Sequence, residues 1–93
     1  MENNIRYLMI AQGRVQRVGF RNYCRLYALK NNITGSVKNL DNDMVQIEAQ
    51  GTKENLDKFI KAIKLGNMFI RVDDLSFKKI PLKENEKNFI TIY

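Results

Sequence analysis

The sequence contains no histidine and a single cysteine, Cys24. Without imidazole there is no Ser-His-Asp triad, no Cys-His pair and no metal site that needs a histidine ligand. One cysteine permits neither an intrachain disulfide nor a cysteine-rich zinc site, and so low a count fits a reducing compartment. No apolar run approaches the roughly 18 residues that would suggest a membrane span, and the N-terminal residues lack the basic and apolar regions of a signal peptide. These absences predict a cytoplasmic, soluble protein with no membrane partner. Proline is scarce as well. Its one occurrence, Pro81, cannot donate to a strand ladder and so marks a sheet edge or an exit from the sheet.

What is present is enough for one small folded domain spanning residues 1–93. Hydrophobic residues make up 44% of the chain and charged residues 28%, a balance unlike that of a disordered tail. The net charge is +6, from 16 Lys and Arg against 10 Asp and Glu. Such a surplus attracts anions without saying which, and nucleic acid, a small phosphorylated metabolite and plain solubility all fit it.

Patterning along the chain gives the elements. Apolar and β-prone residues from Ile5 to Ala11 predict a buried strand, followed by a glycine-bounded loop from Gly13 to Gly19. Phe20, Tyr23, Cys24, Tyr27 and Ala28 recur at helical spacing, and Asn31-Asn32 is a plausible stop. Cys24 falls on the apolar side of that helix, as a buried structural thiol would. Thr34 to Leu40 and Met44 to Gln50 read as a hairpin about the turn Asp41-Asn42-Asp43. In its second strand Val45, Ile47 and Ala49 alternate with Gln46, Glu48 and Gln50, which suggests one wet sheet face.

Gly51 is expected to end the hairpin and Thr52 to cap a second helix. In that helix Leu56, Phe59, Ile60 and Ile63 face a core while Lys58, Lys61 and Lys64 are solvated, and Gly66 closes it. A fourth strand is expected to begin at Met68, to carry a bulge at Asp73-Asp74 and to finish at Ile80. A short fifth runs from Phe89 to Tyr93. The order β-α-β-β-α-β predicts an α+β fold, a ferredoxin-like split β-α-β sandwich with an antiparallel sheet and two helices on one face. That architecture hosts enzymes, RNA binders and metal chaperones, so it does not choose a function.

The segment that carries chemistry is G-R-V-Q-R-V-G-F-R, Gly13 to Arg21, between the first strand and the first helix. Successive amides in a loop that enters a helix can surround an anion, because first-turn amides have no intrahelical acceptor. Gly19 allows close backbone approach. Arg21, in the first turn, offers a planar fork of donors that suits phosphate oxygens, and its charge sits poorly with the helix dipole unless an anion is bound. Read from the residues alone, Arg21 is either an anion ligand or an ordinary surface arginine at a loop–helix junction.

The same segment resembles the acylphosphatase signature G-x-V-Q-G-V-x-F-R, through Gly13, Val15, Gln16, Val18, Phe20 and Arg21. A second block resembles the family's G-x-V-x-N, an acidic turn and V-x-x-x-x-x-G; here it reads G-S-V-K-N-L-D-N-D-M-V-Q-I-E-A-Q-G, Gly35 to Gly51, with Asn39 as its asparagine. The resemblance runs from about Ile5 to the C-terminus, and it implies hydrolysis of the carboxyl–phosphate anhydride of small acyl phosphates. On that basis Arg21 would bind the phosphoryl group and Asn39 would orient the attacking water. The loop residues Gln16, Arg17, Val18, Gly19 and Phe20 would bind substrate, largely through their amides. The resemblance further implies a monomer that needs no metal and no cofactor, with phosphate or sulfate able to occupy the site. Without it, Asn39 reads as a polar residue satisfying the backbone near a hairpin turn.

One residue departs from the signature where it matters. Arg17 stands where the family usually has glycine, at a position expected to need positive φ or close phosphate approach. Its side chain could narrow the pocket or point outward and add positive field at its mouth. Asn67, after Gly66, replaces a frequent proline far from the chemistry. Two competing functions stay in view: an inactive or regulatory acylphosphatase-like domain that binds anions without turnover, and an RNA-binding module with Tyr7 and Phe77 as stacking platforms. The second has no aromatic–basic cluster to support it, so no nucleic-acid partner is expected.

Overall fold

The structure is a computed structural model describing residues 3–93. Seven elements follow one another: β1 (Asn4–Arg14), α1 (Phe20–Lys30), β2 (Thr34–Asn39), β3 (Val45–Thr52), α2 (Lys53–Leu65), β4 (Arg71–Ile80) and β5 (Phe89–Ile92). The sheet order is β4-β1-β3-β2-β5. The first four strands pair antiparallel, as the split β-α-β plan requires, whereas β5 runs parallel to β2. The sheet is therefore mixed rather than antiparallel. The reason is the connection after β4, which crosses from one edge of the sheet to the other before the chain reverses into β5.

The pleat sorts the side chains. Met9, Ala11, Val37, Val45, Ile47 and Ala49 point to the helix side and are fully buried with Phe20, Cys24 and Ala28 of α1 and Leu56, Phe59 and Ile63 of α2. The apolar periodicity of both helices thus meets the apolar parity of the central strands, giving one core between two layers. Thr52 caps α2 by accepting the Asn55 amide at 3.1 Å, and Lys58, Lys61 and Lys64 are exposed. Tyr7 and Phe77 lie edge to face, with centroids 5.1 Å apart, on the parity shared by Met9. They pack on the helix side rather than standing on the open face, so they form no stacking platform.

Three boundaries differ from the sequence reading, the first being that of β1, which runs on past Ala11 to Arg14. β3 continues through Gly51 to Thr52, because Gly51 pairs with Ile5 and packs under Ile33. β4 begins at Arg71 rather than Met68; the preceding residues form a turn in which Asn67 Oδ1 accepts the amides of Phe69 and Ile70, both at 2.8 Å. The bulge lies where expected: Gln12 pairs with Asp74 and Gly13 with Val72, which leaves Asp73 unpaired. Gly13 is required there. A Cβ at this residue would lie 2.2 Å from the Arg71 carbonyl oxygen.

The open face hides a charge that strand patterning did not single out. Arg6, only 3% exposed, donates to Glu86 at 2.8 Å, to Glu48 at 3.1 Å and to Gln50 at 3.1 Å. Gln50 in turn donates to the Lys83 carbonyl at 3.0 Å and accepts its amide at 2.9 Å. These bonds strap the β4–β5 connection across the end of the sheet and so fix where β5 starts. Burial works against the charge of Arg6, but the hydrogen bonds and charges of Glu86 and Glu48 outweigh it and raise its pKa.

Burial alone would likewise raise the Glu86 carboxyl. The hydrogen bond and charge of Arg6 prevail and hold it below its ordinary value of 4.5. A carboxyl depressed in the folded state stabilises above its unfolded pKa and loses that contribution as pH falls through the folded one. Glu86→Gln is therefore expected to cost about 1–2 kcal/mol at pH 7, since it removes one charged partner from a nearly buried cation. Denaturant titrations at a series of pH values should show that deficit shrinking as the pH drops below about 4.5 and vanishing at lower pH. A deficit independent of pH would exclude the ion pair as its cause.

Candidate active site

β1 and β2 are not neighbours, because β3 lies between them. The loop after β1 must therefore reach across the end of β3 to meet the end of β2, and Gln16 anchors it there. Its Nε2 donates to the carbonyls of Leu40 at 2.8 Å and Met44 at 2.9 Å, on either side of the β2–β3 turn. Leu40 and Met44 are themselves joined, amide to carbonyl, at 2.8 Å. One side chain thus binds the loop directly beside Asn39, the last residue of β2. Val15 and Phe20, both buried, pin the two ends of the loop into the core. Phe20 is accordingly a core anchor for α1 as well as a wall of the site.

Inside the loop the backbone takes two left-handed turns. Gly19, the residue before α1, has φ 79°, and no protein atom comes within 4 Å of where its Cβ would be. Glycine serves there for its conformation, and the space beside it is open. Arg17 has φ 64°, the strained region the family pattern reserves for glycine. Its side chain is exposed at the rim, so the arginine adds positive field at the mouth instead of filling the pocket. Val18 packs against the core from the same loop. Among the described residues, the amides from Gln16 to Asn22 donate no hydrogen bond to the protein.

Arg17→Gly is expected to remove the cost of holding a substituted residue at positive φ, partly offset by the extra freedom of glycine in the unfolded chain. The net gain should be about 0.5–1 kcal/mol, read as a higher denaturant midpoint with an unchanged slope.

Loop, α1, β2 and β5 together enclose a cavity of about 190 Å³ lined by Arg17, Gly19, Phe20, Arg21, Asn39 and Thr91, with Val15, Asn22, Arg25 and Tyr93 completing the wall. Strand parity explains the composition. Val37 and Asn39 share one side of β2, and the parallel register of β5 sets Thr91 beside Val37, with Tyr93 following on the same side. Asn39 lines this cavity, and its Oδ1 is buried without a hydrogen-bond partner among the described residues. An orphaned buried acceptor is costly, and natural proteins keep few. Arg21 is half-buried, and its Cζ lies 4.9 Å from the centroid of the Tyr93 ring, which backs the guanidinium like a plate.

Sequence reasoning identified Arg21, Asn39 and the loop but not Thr91, Tyr93 or Arg25. The first two reach the site only through the strap that seats β5, and Arg25 only by lying one helical turn beyond Arg21. Cys24 takes no part. It is wholly buried on the far side of α1, and burial pushes its thiol far above the ordinary value, so it is no thiolate nucleophile. Among the described residues no group of His, Cys, Asp and Glu is arranged to hold a metal ion.

The acylphosphatase family model matches residues 7–91, nearly the whole chain and every residue of the cavity wall except Tyr93. The chain belongs to the acylphosphatase family. It is 49% identical over 88 residues to an acylphosphatase of Clostridium acetobutylicum, covering 95% of this chain and 97% of that protein. It is 46% identical to one of Clostridium beijerinckii, covering 96% and 99%. The crystal structure of acylphosphatase from Bacillus subtilis superposes with a TM-score of 0.90 at 37% identity, covering 96% of this chain and 99% of that one. The acylphosphatase-family chain is a hydrolase of acyl phosphates, with the ferredoxin-like α+β fold its relatives share. No helix among the described residues is long and apolar enough to cross a membrane.

Proposed function

We propose that Arg21 holds the phosphoryl group of a small acyl phosphate and that Asn39 holds and orients the water that attacks it. The observation that carries this reading is the orphaned Oδ1 of Asn39, a buried acceptor on a residue that lines the same cavity as a half-buried arginine. A water donating to that oxygen would satisfy it, and the guanidinium fork matches the oxygens of a phosphoryl group. The free amides from Gln16 to Phe20 add donors for the same group, as a loop leading into a helix N-terminus commonly does.

The step is then simple to balance. A bond forms from the water oxygen to phosphorus, and the bond from phosphorus to the acyl oxygen breaks. The carboxylate leaves with the electron pair, and the water's proton ends on the product phosphate. A carboxylate is a good enough leaving group to need no general acid, and an amide such as Asn39 is too weak a base to take a proton. The protein's work is therefore positioning and charge stabilisation, the principal contributions in phosphoryl transfer. Arg21, Asn39 and the loop belong to one chain, so a monomer suffices, and inorganic phosphate or sulfate should occupy the same place. A cytoplasmic location agrees with the low cysteine count.

The test is turnover of acetyl phosphate by the wild type, Arg21→Ala and Asn39→Ala, with inorganic phosphate as a competing ligand. Equal rates in the three proteins would remove the assignment. Phosphate binding without any wild-type turnover would identify an anion-binding domain instead.

A further inference from the structure

We propose that the tip formed by the end of α2 and the turn into β4 docks on a membrane surface rich in anionic lipid. The expectation of no membrane partner rested on the absence of a spanning segment, which does not bear on contact with a surface. The proposal is independent of the roles assigned to Arg21 and Asn39.

Three large apolar side chains stand in solvent close together in the chain: Leu65 is 83% exposed, Met68 88% and Phe69 63%. Ile70, the next residue, is buried and roots the turn in the core. The turn is tied at several points. The Gly66 amide donates to the Ala62 carbonyl at 3.3 Å and the Asn67 amide to that of Ile70 at 3.2 Å, while Asn67 Oδ1 accepts the amides of Phe69 and Ile70. Tyr23 Oη lies 2.7 Å from the Ala62 carbonyl oxygen and 3.1 Å from that of Gly66. Met68 and Phe69 are therefore presented by a pre-ordered backbone, and docking costs little further ordering. The amides of Gly66, Asn67, Phe69 and Ile70 would also leave water already paired, as a segment entering the boundary between headgroups and acyl chains requires.

Charge selects the kind of surface. From Lys58 to Val72 the chain contains no Asp or Glu; Lys61 and Lys64 lie on the last turns of α2 and Arg71 just past the turn. Arg14 stands opposite Arg71 across β1 and β4, like charge against like. Asp73 offsets Arg71 at 2.9 Å, but among the described residues Arg14, Lys61 and Lys64 have no acidic partner. Arg14, Lys64 and Arg71 wall a hollow of about 310 Å³ together with Leu65 and Met68, and no acidic side chain lines it. Unpaired cations occur elsewhere on the chain; the inference rests on their meeting Leu65, Met68 and Phe69 here. Apolar side chains beside a cationic rim complement lipid phosphates lying over acyl chains. Side chains as bare as Leu65 and Met68 project rather than line a groove, which suits a deformable surface better than a partner of fixed shape.

The experiment is co-sedimentation with vesicles of phosphatidylcholine alone and of phosphatidylcholine mixed with phosphatidylglycerol. The wild type should bind the anionic vesicles and not the neutral ones, and added salt should weaken binding. Met68→Ser combined with Phe69→Ser should lower partitioning by about tenfold or more, and Lys61→Gln combined with Lys64→Gln by about tenfold at low salt. Two controls should change it by less than about threefold: Leu29→Ser, also strongly exposed but on α1, and Lys78→Gln combined with Lys79→Gln, at the far end of β4. Circular dichroism of each preparation shows that the variants are folded. Phe69→Trp gives a second readout in a chain without tryptophan, since its emission should shift to the blue on anionic vesicles. No binding by the wild type, no blue shift, wild-type binding by the Met68 and Phe69 variant, or an equal loss in the lysine control overturns the proposal. Capture of the protein by single-stranded RNA through Lys61 and Lys64, with vesicles left unbound, overturns it in favour of a polyanion site.

Discussion

Arg21→Ala is expected to lower kcat/KM for acetyl phosphate by roughly 10²- to 10³-fold, the loss of about 3–4 kcal/mol that follows removal of a well-placed transition-state donor. The side chain is half-buried at the first turn of α1, where no acidic residue shares its turn, and it rests on the Tyr93 ring. Alanine removes a cation that the helix dipole disfavours, so the fold should lose little or nothing. Arg21→Lys separates charge from shape. It keeps the positive charge but lacks the planar fork and the flat face that stacks on Tyr93, and it should remain about tenfold or more below the wild type. Inorganic phosphate should bind more weakly to both variants. Wild-type kcat/KM in Arg21→Ala would mean that the arginine only decorates the helix.

Asn39→Ala should show the opposite pairing of activity and stability from that of a structural residue. Turnover is expected to fall by about the same 10²- to 10³-fold, since the water loses its acceptor and its orientation. Stability should hold or rise by up to about 1 kcal/mol, because the substitution deletes a buried oxygen that no donor among the described residues satisfies. Denaturant titration and steady-state kinetics on the same preparation settle the matter. If Asn39 served the hairpin turn, activity and stability would fall together. Asn39→Asp is the sharper chemical control: it keeps the acceptor and the shape but sets a negative charge against a dianionic group. It should be no better than alanine in turnover, whereas a general-base role would predict activity retained or increased. On the proposed assignment the site keeps an unfavourable buried group for its function, a trade of stability for activity seen in many enzymes.

The legible part of this protein was local. Period and punctuation set the helices: Phe20 to Ala28 and Leu56 to Ile63 fall on buried faces, with Thr52, Gly66 and Asn31 at their ends. Alternation set the wet and dry faces of β3, and the segment Gly13 to Arg21 marked a candidate anion-binding turn through amide and guanidinium chemistry that needs no neighbours. The positive φ at Arg17 was legible only through the resemblance to a family that has glycine there; the arginine itself gives no sign of it. The parallel pairing of β5, the buried charge of Arg6 and the meeting of Gln16 with the Leu40 and Met44 carbonyls were not. Each joins segments at least 24 residues apart in the chain. Nothing in the residues near Asn39 says that β3 separates it from β1, or that the loop crosses that gap.

The sequence by itself determined which residues could bind an anion and which faces must be buried, since donors, charge and apolar periodicity are carried by residue types at short range. Only the tertiary structure decided that Arg21, Asn39, Thr91 and Arg25 surround one cavity. Proximity between distant segments follows from strand order and register, and these are fixed by the packing of the whole sheet.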